Sequence, residues 1–461
     1  MNYAELVAEQ RQYFATKSTL SYNFRIEQLK HLLFLINKHE AAILAALNQD
    51  LRKSDLEAWG TEFGVVITEL KYYISKLKKW MQPQSLRTPI FHFRANSYVK
   101  KIPHGNTLII APWNYPFLLS IRPLIGAIAA GNTTIVKPSE NAPATASVLE
   151  SIINTNFNKA YLHVVNTNAE GAKNLIQQQF DYIFYTGGGI VGKLIYQAAA
   201  KNLTPVTLEL GGKNPCVIDA TANLDITASR VVWGKFNNSG QTCVAADYIL
   251  VHESVKKELI TKLATRIITF FGKDAQQSAD YGRILNDFHF ERICKLMANE
   301  EIIYGGKTDK SDKYIEPTII ELNNLESPIM QEEIFGPLLP IISYSDINDA
   351  LKVINQHPTP LVIYLFANNK NLVNKFVDET SSGDLVINET VLHFGNLLMP
   401  IGGKGSSGFG KMQGKYTYDA FSHNKSVLHK RFFPDLPIRY PPYTASQLNK
   451  LKMLFKYFFQ R

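Results

Sequence analysis

Asn106-Thr107-Leu108-Ile109-Ile110-Ala111-Pro112-Trp113-Asn114-Tyr115-Pro116-Phe117 decides how this chain folds. Its opening residues are apolar and β-branched over a short run, which predicts a buried strand. Pro112, Asn114 and Pro116 then stop the strand, and the apolar residues 117–130 predict a helix. Thr133-Thr134-Ile135-Val136 predicts the next strand. The alternation continues with a helix within 144–153, the strand Leu162-His163-Val164-Val165, a helix over 171–178 and the strand Tyr182-Ile183-Phe184-Tyr185. A helix over 192–200 and the strand Val206-Thr207-Leu208-Glu209 complete it. Strands and helices in this order imply a parallel sheet wrapped by helices, with ligands at the carboxyl ends of the strands.

A second alternating region follows Glu209: Cys216-Val217-Ile218, a helix to Phe236, a loop to Cys243 and a strand over 248–251. A second α/β domain is the simplest account, with the chemistry between the two. Before Asn106 the chain reads as helices, since Ile26, Leu29, Leu32, Leu33 and Ile36 recur at helical spacing. Ser54-Asp55-Leu56-Glu57 is a capping box that opens a helix running towards Trp80. Pro83 ends it, and residues 90–102 alternate as an extended hairpin or arm. Beyond Met399 the chain is rich in glycine and then in aromatics, more like an arm than a core.

At 461 residues the chain exceeds one ordinary core, so two or three domains are expected. Hydrophobic and charged fractions of 45% and 19% belong to a globular protein. Cys216, Cys243 and Cys294 are odd in number and far apart, with no spacing for a metal; free thiols in a reducing compartment follow. The opening Met1-Asn2-Tyr3-Ala4-Glu5 shows no secretory signal, and Arg122 and Pro123 interrupt the apolar run 117–130. The expected location is the cytoplasm. The formal charge is +9, but the lysines are scattered over helical faces and no basic-aromatic motif accompanies them. Nucleic-acid binding is therefore not expected.

The chemistry concentrates in Leu208-Glu209-Leu210-Gly211-Gly212-Lys213-Asn214-Pro215 and Phe236-Asn237-Asn238-Ser239-Gly240-Gln241-Thr242-Cys243. A thiolate attacks a carbonyl carbon well, and a nearby carboxylate can take a proton from the thiol or from a later water. Adjacent glycines cost strand or helix stability, so Gly211 and Gly212 mark a close approach of backbone or ligand. Cys216 and Cys294 lie in apolar strand or helix surroundings and read as structural.

These stretches resemble the aldehyde dehydrogenase superfamily, and the resemblance implies Cys243 as nucleophile and Glu209 as general base. It places the Asn114 side-chain amide with the Cys243 backbone amide in an oxyanion hole, which meets the need for donors aimed at a developing alkoxide. Trp113 adjoins that turn. Lys137-Pro138-Ser139-Glu140 resembles the segment whose Lys and Glu hold the adenosine ribose. Glu140 leans towards NAD, with NADP possible. Tyr185-Thr186-Gly187-Gly188-Gly189-Ile190-Val191-Gly192 resembles the pyrophosphate-side turn, with Gly187 and Gly192 as cofactor contacts. Many members carry a Ser or Thr where Gly188 and Gly189 stand. Glu332-Glu333-Ile334-Phe335-Gly336-Pro337 resembles the segment in which Glu333 holds the nicotinamide ribose and Phe335 packs beside it. Residues 400–410 resemble the C-terminal glycine-rich motif.

The resemblance runs from about Phe14 to Tyr443 and leans to the class 3 branch, which oxidises fatty, aromatic and coniferyl-type aldehydes. It implies a Rossmann-like NAD(P)-binding domain over 1–89 and 103–208 and an α/β catalytic domain over 209–398. A β-arm for oligomerisation covers 90–102 and 399–443, and 444–461 form a tail. The expected protein is a homodimer that oxidises an uncharged aldehyde through a thiohemiacetal and a thioester, with no metal. Coenzyme-A-acylating relatives generally lack a Glu at the position of Glu209, which counts against that rival. A binding protein that had lost the chemistry would not need Cys243, Glu209, Asn114 and Glu333 together. In the tail, Leu448, Leu451, Leu454, Phe455, Phe458 and Phe459 fall on one helical face with lysines beside it. Packing on the subunit or its partner is the first reading, and peripheral contact with anionic membrane the second.

Overall fold

The strand at the head of the quoted run lies inside a six-stranded sheet. The order across it is Gly408–Phe409, Val206–Glu209, Tyr182–Thr186, Asn106–Ile110, Thr133–Lys137 and Leu162–Val164. Neighbours pair in parallel except Gly408–Phe409, which runs antiparallel to Val206–Glu209. From Asn106–Ile110 the chain steps outward through Thr133–Lys137 to Leu162–Val164, then crosses back to Tyr182–Thr186 on the other side. The strand order therefore reverses between Asn106–Ile110 and Tyr182–Thr186, where a parallel sheet opens a ligand crevice at its carboxyl ends. Every residue of both strands is buried, as their β-branched and aromatic composition requires.

The computed structural model describes residues 2–89, 92–435 and 437–458. A seven-stranded sheet carries the second region, in the order Glu301–Tyr304, Thr318–Glu321, Leu338–Tyr344, Tyr248–His252, Pro215–Ile218, Val362–Phe366 and Asp384–Ile387. Glu301–Tyr304 alone pairs antiparallel there. Ile218, Ile249, Leu339 and Val362 fill the core on one face of this sheet, and Val217, Leu250, Leu338 and Ile363 that on the other. Both faces are covered, which is why the central strands read as continuous apolar runs.

Helix Leu118–Ala130 is buried along its whole length despite Arg122 and Pro123. Arg122 is tolerated because its Nε donates to Glu69 Oε2 at 2.7 Å, with both side chains fully buried. The capping box leads to something other than one long helix. Ser54 accepts from Glu57 N, but the helix stops at Asp55–Ala58 and a π-helical turn, Trp59–Phe63, precedes Gly64–Trp80. The wider turn carries Glu62 inward, where it accepts from Lys53 Nζ at 2.6 Å and from the backbone N–H of Phe117 and Leu118 at 3.0 Å each.

The chain divides into two compact units. The larger comprises Met1–Trp80 and Ile102–His423, so residues 399–423 belong to it. Helix Lys415–Ala420 packs there against Leu118–Ala130. The smaller comprises Met81–Lys101 and Asn424–Arg461. The strands Gln84–Leu86, Ala95–Pro103 and Ser422–Lys430 form a three-stranded sheet, and the tail folds as helix Ala445–Phe458. Leu448, Leu451, Leu454 and Phe455 on that helix are 37–51% exposed. Ile90 and Phe91 of the expected arm, and Phe459, Gln460 and Arg461 of the tail, lie outside the described residues, as does the side chain of Phe458. No helix among the described residues is long and apolar enough to cross a membrane.

Candidate active site

Glu209 ends the strand Val206–Glu209 and Cys243 ends the loop after helix Leu224–Phe236. Both side chains line one cavity of about 690 Å³ whose other walls include Leu118, Trp233, Phe271 and Phe394. The Cys243 loop turns sharply: Asn238 and Ser239 adopt left-handed backbone, and Gly240 follows at φ 76°. A Cβ on Gly240 would stand 2.3 Å from the Gly336 carbonyl oxygen, so glycine is required both by conformation and by space. The loop is then fastened from several sides. Asn214 Nδ2 donates to the Cys243 carbonyl at 2.7 Å and to that of Ala245 at 3.1 Å. Tyr364 OH donates to the Val244 carbonyl, and the hydroxyls of Tyr115 and Thr242 share a hydrogen bond of 2.8 Å.

Asn114 is 3% exposed, and its Nδ2 donates to the Gln241 carbonyl at 3.0 Å. This bond brings the expected oxyanion donor to the Cys243 loop. Burial pushes the Cys243 thiol up to about 12, and the negative charges of Glu333 and Glu209 add to it, against the backbone N–H groups of Cys243 and Val244. Glu209 is 4% exposed, with Oε1 sealed from solvent and unpartnered. Burial holds its carboxyl well above the usual range; Lys411 opposes this, Asp384 adds to it, and the Gly403 N–H opposes it. Burial in this cavity thus disfavours the charged forms of both the Cys243 thiol and the Glu209 carboxyl.

The remaining expected residues gather at the carboxyl ends of the six-stranded sheet and beside Gly211. Lys137 ends its strand and donates to Glu140. That ion pair offsets the Glu140 charge. Gly187, Gly188 and Gly189 lead from Tyr182–Thr186 into helix Gly189–Ala200, which has no side-chain cap. A Cβ on Gly188 or Gly189 would meet nothing within 4 Å. A Cβ on Gly192, by contrast, would lie 2.9 Å from Leu210 Cδ2, so a larger residue there would require Leu210 to shift. Trp113 meets Phe335 edge to face, ring centroids 5.3 Å apart.

Glu333 has a sealed, unpartnered Oε1, and a Cβ on Gly211 would stand 2.1 Å from its Oε2. Burial, with Asp247 second, pushes Glu333 up to about 8. An open glycine turn before an uncapped helix, a Lys–Glu pair at a strand end and an orphaned carboxylate oxygen suit the phosphates and ribose hydroxyls of a dinucleotide. The residues present fit that group.

Several residues of the site escaped the sequence reading. In the sequence Lys213 is simply part of the Glu209 motif, yet its Nζ pairs with Asp247 at 2.6 Å in the interior. Asp247 Oδ1 in turn accepts from Ile334 N at 3.0 Å, tying the Glu333 segment to the stretch between Cys243 and strand Tyr248–His252. Asn214 stood in the same motif with no role assigned. Glu57, Lys53 and Asn238 carried no signal beyond local turn and cap chemistry.

Comparison with known proteins places this arrangement. The model of the aldehyde dehydrogenase family matches residues 1–427. The chain is 46% identical over 450 residues to the 4,4'-diaponeurosporen-aldehyde dehydrogenase of Staphylococcus aureus, covering 97% of this chain and 98% of that one. It is 41% identical over 444 residues to the dimeric NADP-preferring aldehyde dehydrogenase of Canis lupus familiaris, covering 96% and 98%. A solved structure described as the substrate-bound state of Staphylococcus aureus AldH matches with a TM-score of 0.96 and 44% identity, over 98% of this chain and 99% of that chain. The chain belongs to the aldehyde dehydrogenase family and is an oxidoreductase acting on aldehydes. Members of aldehyde dehydrogenase family 3 stand among its relatives, so its place is with the class 3 branch.

Proposed function

We propose that the chain oxidises an uncharged aliphatic or aromatic aldehyde to the carboxylic acid, with Cys243 as nucleophile and Glu209 as base. The observation that carries this reading is that Cys243 and Glu209 face one largely apolar cavity, with Asn114 bonded to the loop that bears the thiol. The aldehyde oxygen sits between the Asn114 amide and the Cys243 N–H, which take up the charge formed as sulfur attacks. A nicotinamide, when bound, would supply the hydride acceptor needed to oxidise the thiohemiacetal on Cys243 to a thioester. Lys137 and Glu140 would hold the adenosine ribose, Gly187 would contact the pyrophosphate and Glu333 the nicotinamide ribose. Trp113 and Phe335 would pack beside the cofactor, and Gly192, within helix Gly189–Ala200, would contact it where that helix passes close to Leu210. Glu209 then takes a proton from the water that hydrolyses the thioester, releasing the acid and the free thiol.

The proposed cofactor is NAD, with NADP also accepted. The proposed domains are the NAD(P)-binding domain 1–89 and 103–208, the catalytic domain 209–398, the arm 90–102 and 399–443, and the tail 444–461. The canine relative is called dimeric, and the three-stranded sheet with its exposed tail helix supports a homodimer here. Unpaired Cys216, Cys243 and Cys294 suit a cytoplasmic location. The experiment is aldehyde-dependent formation of NADH or NADPH without coenzyme A, over a panel from acetaldehyde to hexadecanal and benzaldehyde. No turnover with any aldehyde, or turnover only when coenzyme A is added, would sink the reading.

A further inference from the structure

The turn before Cys243 has a backbone that its residues do not favour. Asn238 and Ser239, neither of them glycine, stand consecutively in left-handed conformation at φ 50° and 52°. Such residues persist where the surroundings over-determine them. Asn238 N donates to Glu57 Oε1 at 2.8 Å, and Asn238 Nδ2 donates to the Asn114 carbonyl at 2.9 Å. Gln241 Nε2 donates back to the Asn238 carbonyl at 3.0 Å.

The Asn114 peptide is fixed from the same segment. Lys53 Nζ donates to the Asn114 carbonyl at 2.9 Å and to Glu62 Oε1 at 2.6 Å, and it stands 3.9 Å above the Tyr115 ring. Lys53 and Glu62 are fully buried. Glu62 Oε2 receives the first N–H of helix Leu118–Ala130, at Leu118, and that of Phe117 before it. Residues 53–62 therefore grip the Asn114 peptide through Lys53 and the Cys243 turn through Glu57.

We propose that Glu57 is a positioning residue of the aldehyde-oxidising site: by accepting the Asn238 N–H it holds the left-handed turn that sets the Cys243 thiol against the Asn114 amide. Lys53 and Glu62 fix the Asn114 side of the same relationship. Glu57 touches neither reacting atom in this role and acts through the turn. The inference rests on the reading of Cys243 as nucleophile. Because Glu57 also lines the cavity, a direct substrate contact is the competing role, and it makes a different kinetic prediction.

The test compares the full-length chain with Glu57→Ala and Glu57→Gln. Gln keeps an acceptor oxygen of the same reach, whereas Ala keeps none. Two quantities are read: kcat and KM for acetaldehyde, and the rate at which iodoacetamide modifies Cys243, followed by mass spectrometry of its peptide. Small displacements of reacting groups cost steeply, so Glu57→Ala is expected to lower kcat and slow modification of Cys243 by about tenfold each, with KM held within about twofold. Glu57→Gln is expected to recover both rates to within about threefold of the unaltered chain, since the amide oxygen still takes the N–H. Thermal unfolding confirms that each variant is folded. Should Glu57→Ala not fold, Glu57→Asp keeps the charge but not the reach, and is expected to lose about fivefold or more in both rates. Unchanged modification of Cys243, no recovery with Gln, or a loss confined to KM would overturn the proposal. If the unaltered chain oxidised no aldehyde while Cys243 reactivity still followed Glu57, the functional reading would fail and the positioning role would stand.

Discussion

The side-chain amide of Asn114 donates to the Gln241 carbonyl at 3.0 Å, two positions before Cys243 in the chain. A side-chain amide carries two N–H donors. One is spent on the loop that bears the thiol, which leaves the other for the proposed oxyanion. Removing such a donor from an oxyanion site typically costs about 10²-fold or more in kcat, so Asn114→Ala is expected to lose about that much. Steady-state kinetics with a short aldehyde check this. A loss below about threefold would show that the amide only ties two loops together.

Glu209 and Cys243 should fail in different ways. Cys243→Ala is expected to abolish oxidation while cofactor binding, followed by titration of fluorescence, stays largely intact. Glu209→Gln is expected to give a burst of reduced cofactor and then slow turnover, because the acyl-enzyme forms but its hydrolysis lacks a base. Equal loss of burst and steady state would move the role of Glu209 to a step before acylation.

The upward pKa shift of Glu209 gives a pH prediction. Its carboxyl is held well above the usual range, chiefly by burial. A base acts only when ionised, and a raised pKa means the carboxylate appears only at higher pH. Turnover limited by hydrolysis should therefore rise with pH on the alkaline side of the ordinary carboxylate range. Lys411 opposes the shift, and its Nζ donates to the Gly402 carbonyl at 2.7 Å, beside Glu209. Lys411→Met should move the rise to still higher pH. A profile of kcat against pH for both proteins checks the direction; a shift to lower pH would mean that Lys411 does not act on Glu209 by charge.

What the sequence revealed of this site follows from distance along the chain. Thr107-Leu108-Ile109-Ile110 declares a buried strand by composition alone, and the turn from Ala111 to Pro116 marks where it ends. Cys243 and Glu209 stand out because their glycine neighbours are costly without a reason. Glu57 could not be read in this way. Its spacing from Ser54 has the form of a capping box, and Ser54 does cap the helix, but the carboxylate serves a backbone N–H 181 residues further on. The π-helical turn at Trp59–Phe63 was hidden for the same reason, since it exists to turn Glu62 toward partners at Lys53, Phe117 and Leu118. Local patterns announce strands, caps and glycine turns, whereas tertiary hydrogen bonds reassign the side chains within them.

On the proposed reading, cofactor choice depends on the Lys137–Glu140 pair. Glu140 can accept from ribose hydroxyls and repel an additional phosphate, while Lys137, already donating to Glu140, softens that repulsion. The expected outcome is a preference for NAD with measurable use of NADP. Glu140→Gln should raise catalytic efficiency with NADP relative to NAD by about tenfold, since one charge beside the phosphate is removed. Measuring kcat/KM with each cofactor decides it. A strong NADP preference in the unaltered chain would overturn this reading of Glu140.

The tail offers the last prediction. Helix Ala445–Phe458 leaves Leu448, Leu451, Leu454 and Phe455 at 37–51% exposure, with Lys450, Lys452 and Lys456 on the same helix. An apolar stripe that exposed is unusual on a chain that works alone, and a second subunit would cover it without calling on lipid. Lysines beside an apolar face would also suit an anionic membrane surface, and the two environments respond differently to salt. A chain ending at Tyr443 is therefore compared with the full-length chain in two measurements. Sedimentation velocity is expected to give a dimer for the full chain and a weaker dimer for the shortened one. Co-sedimentation with vesicles containing phosphatidylserine is expected to show neither bound at any salt concentration. Binding of the full chain at low salt that is lost at high salt, and lost with the tail, would assign the helix to the membrane surface and remove it from the dimer.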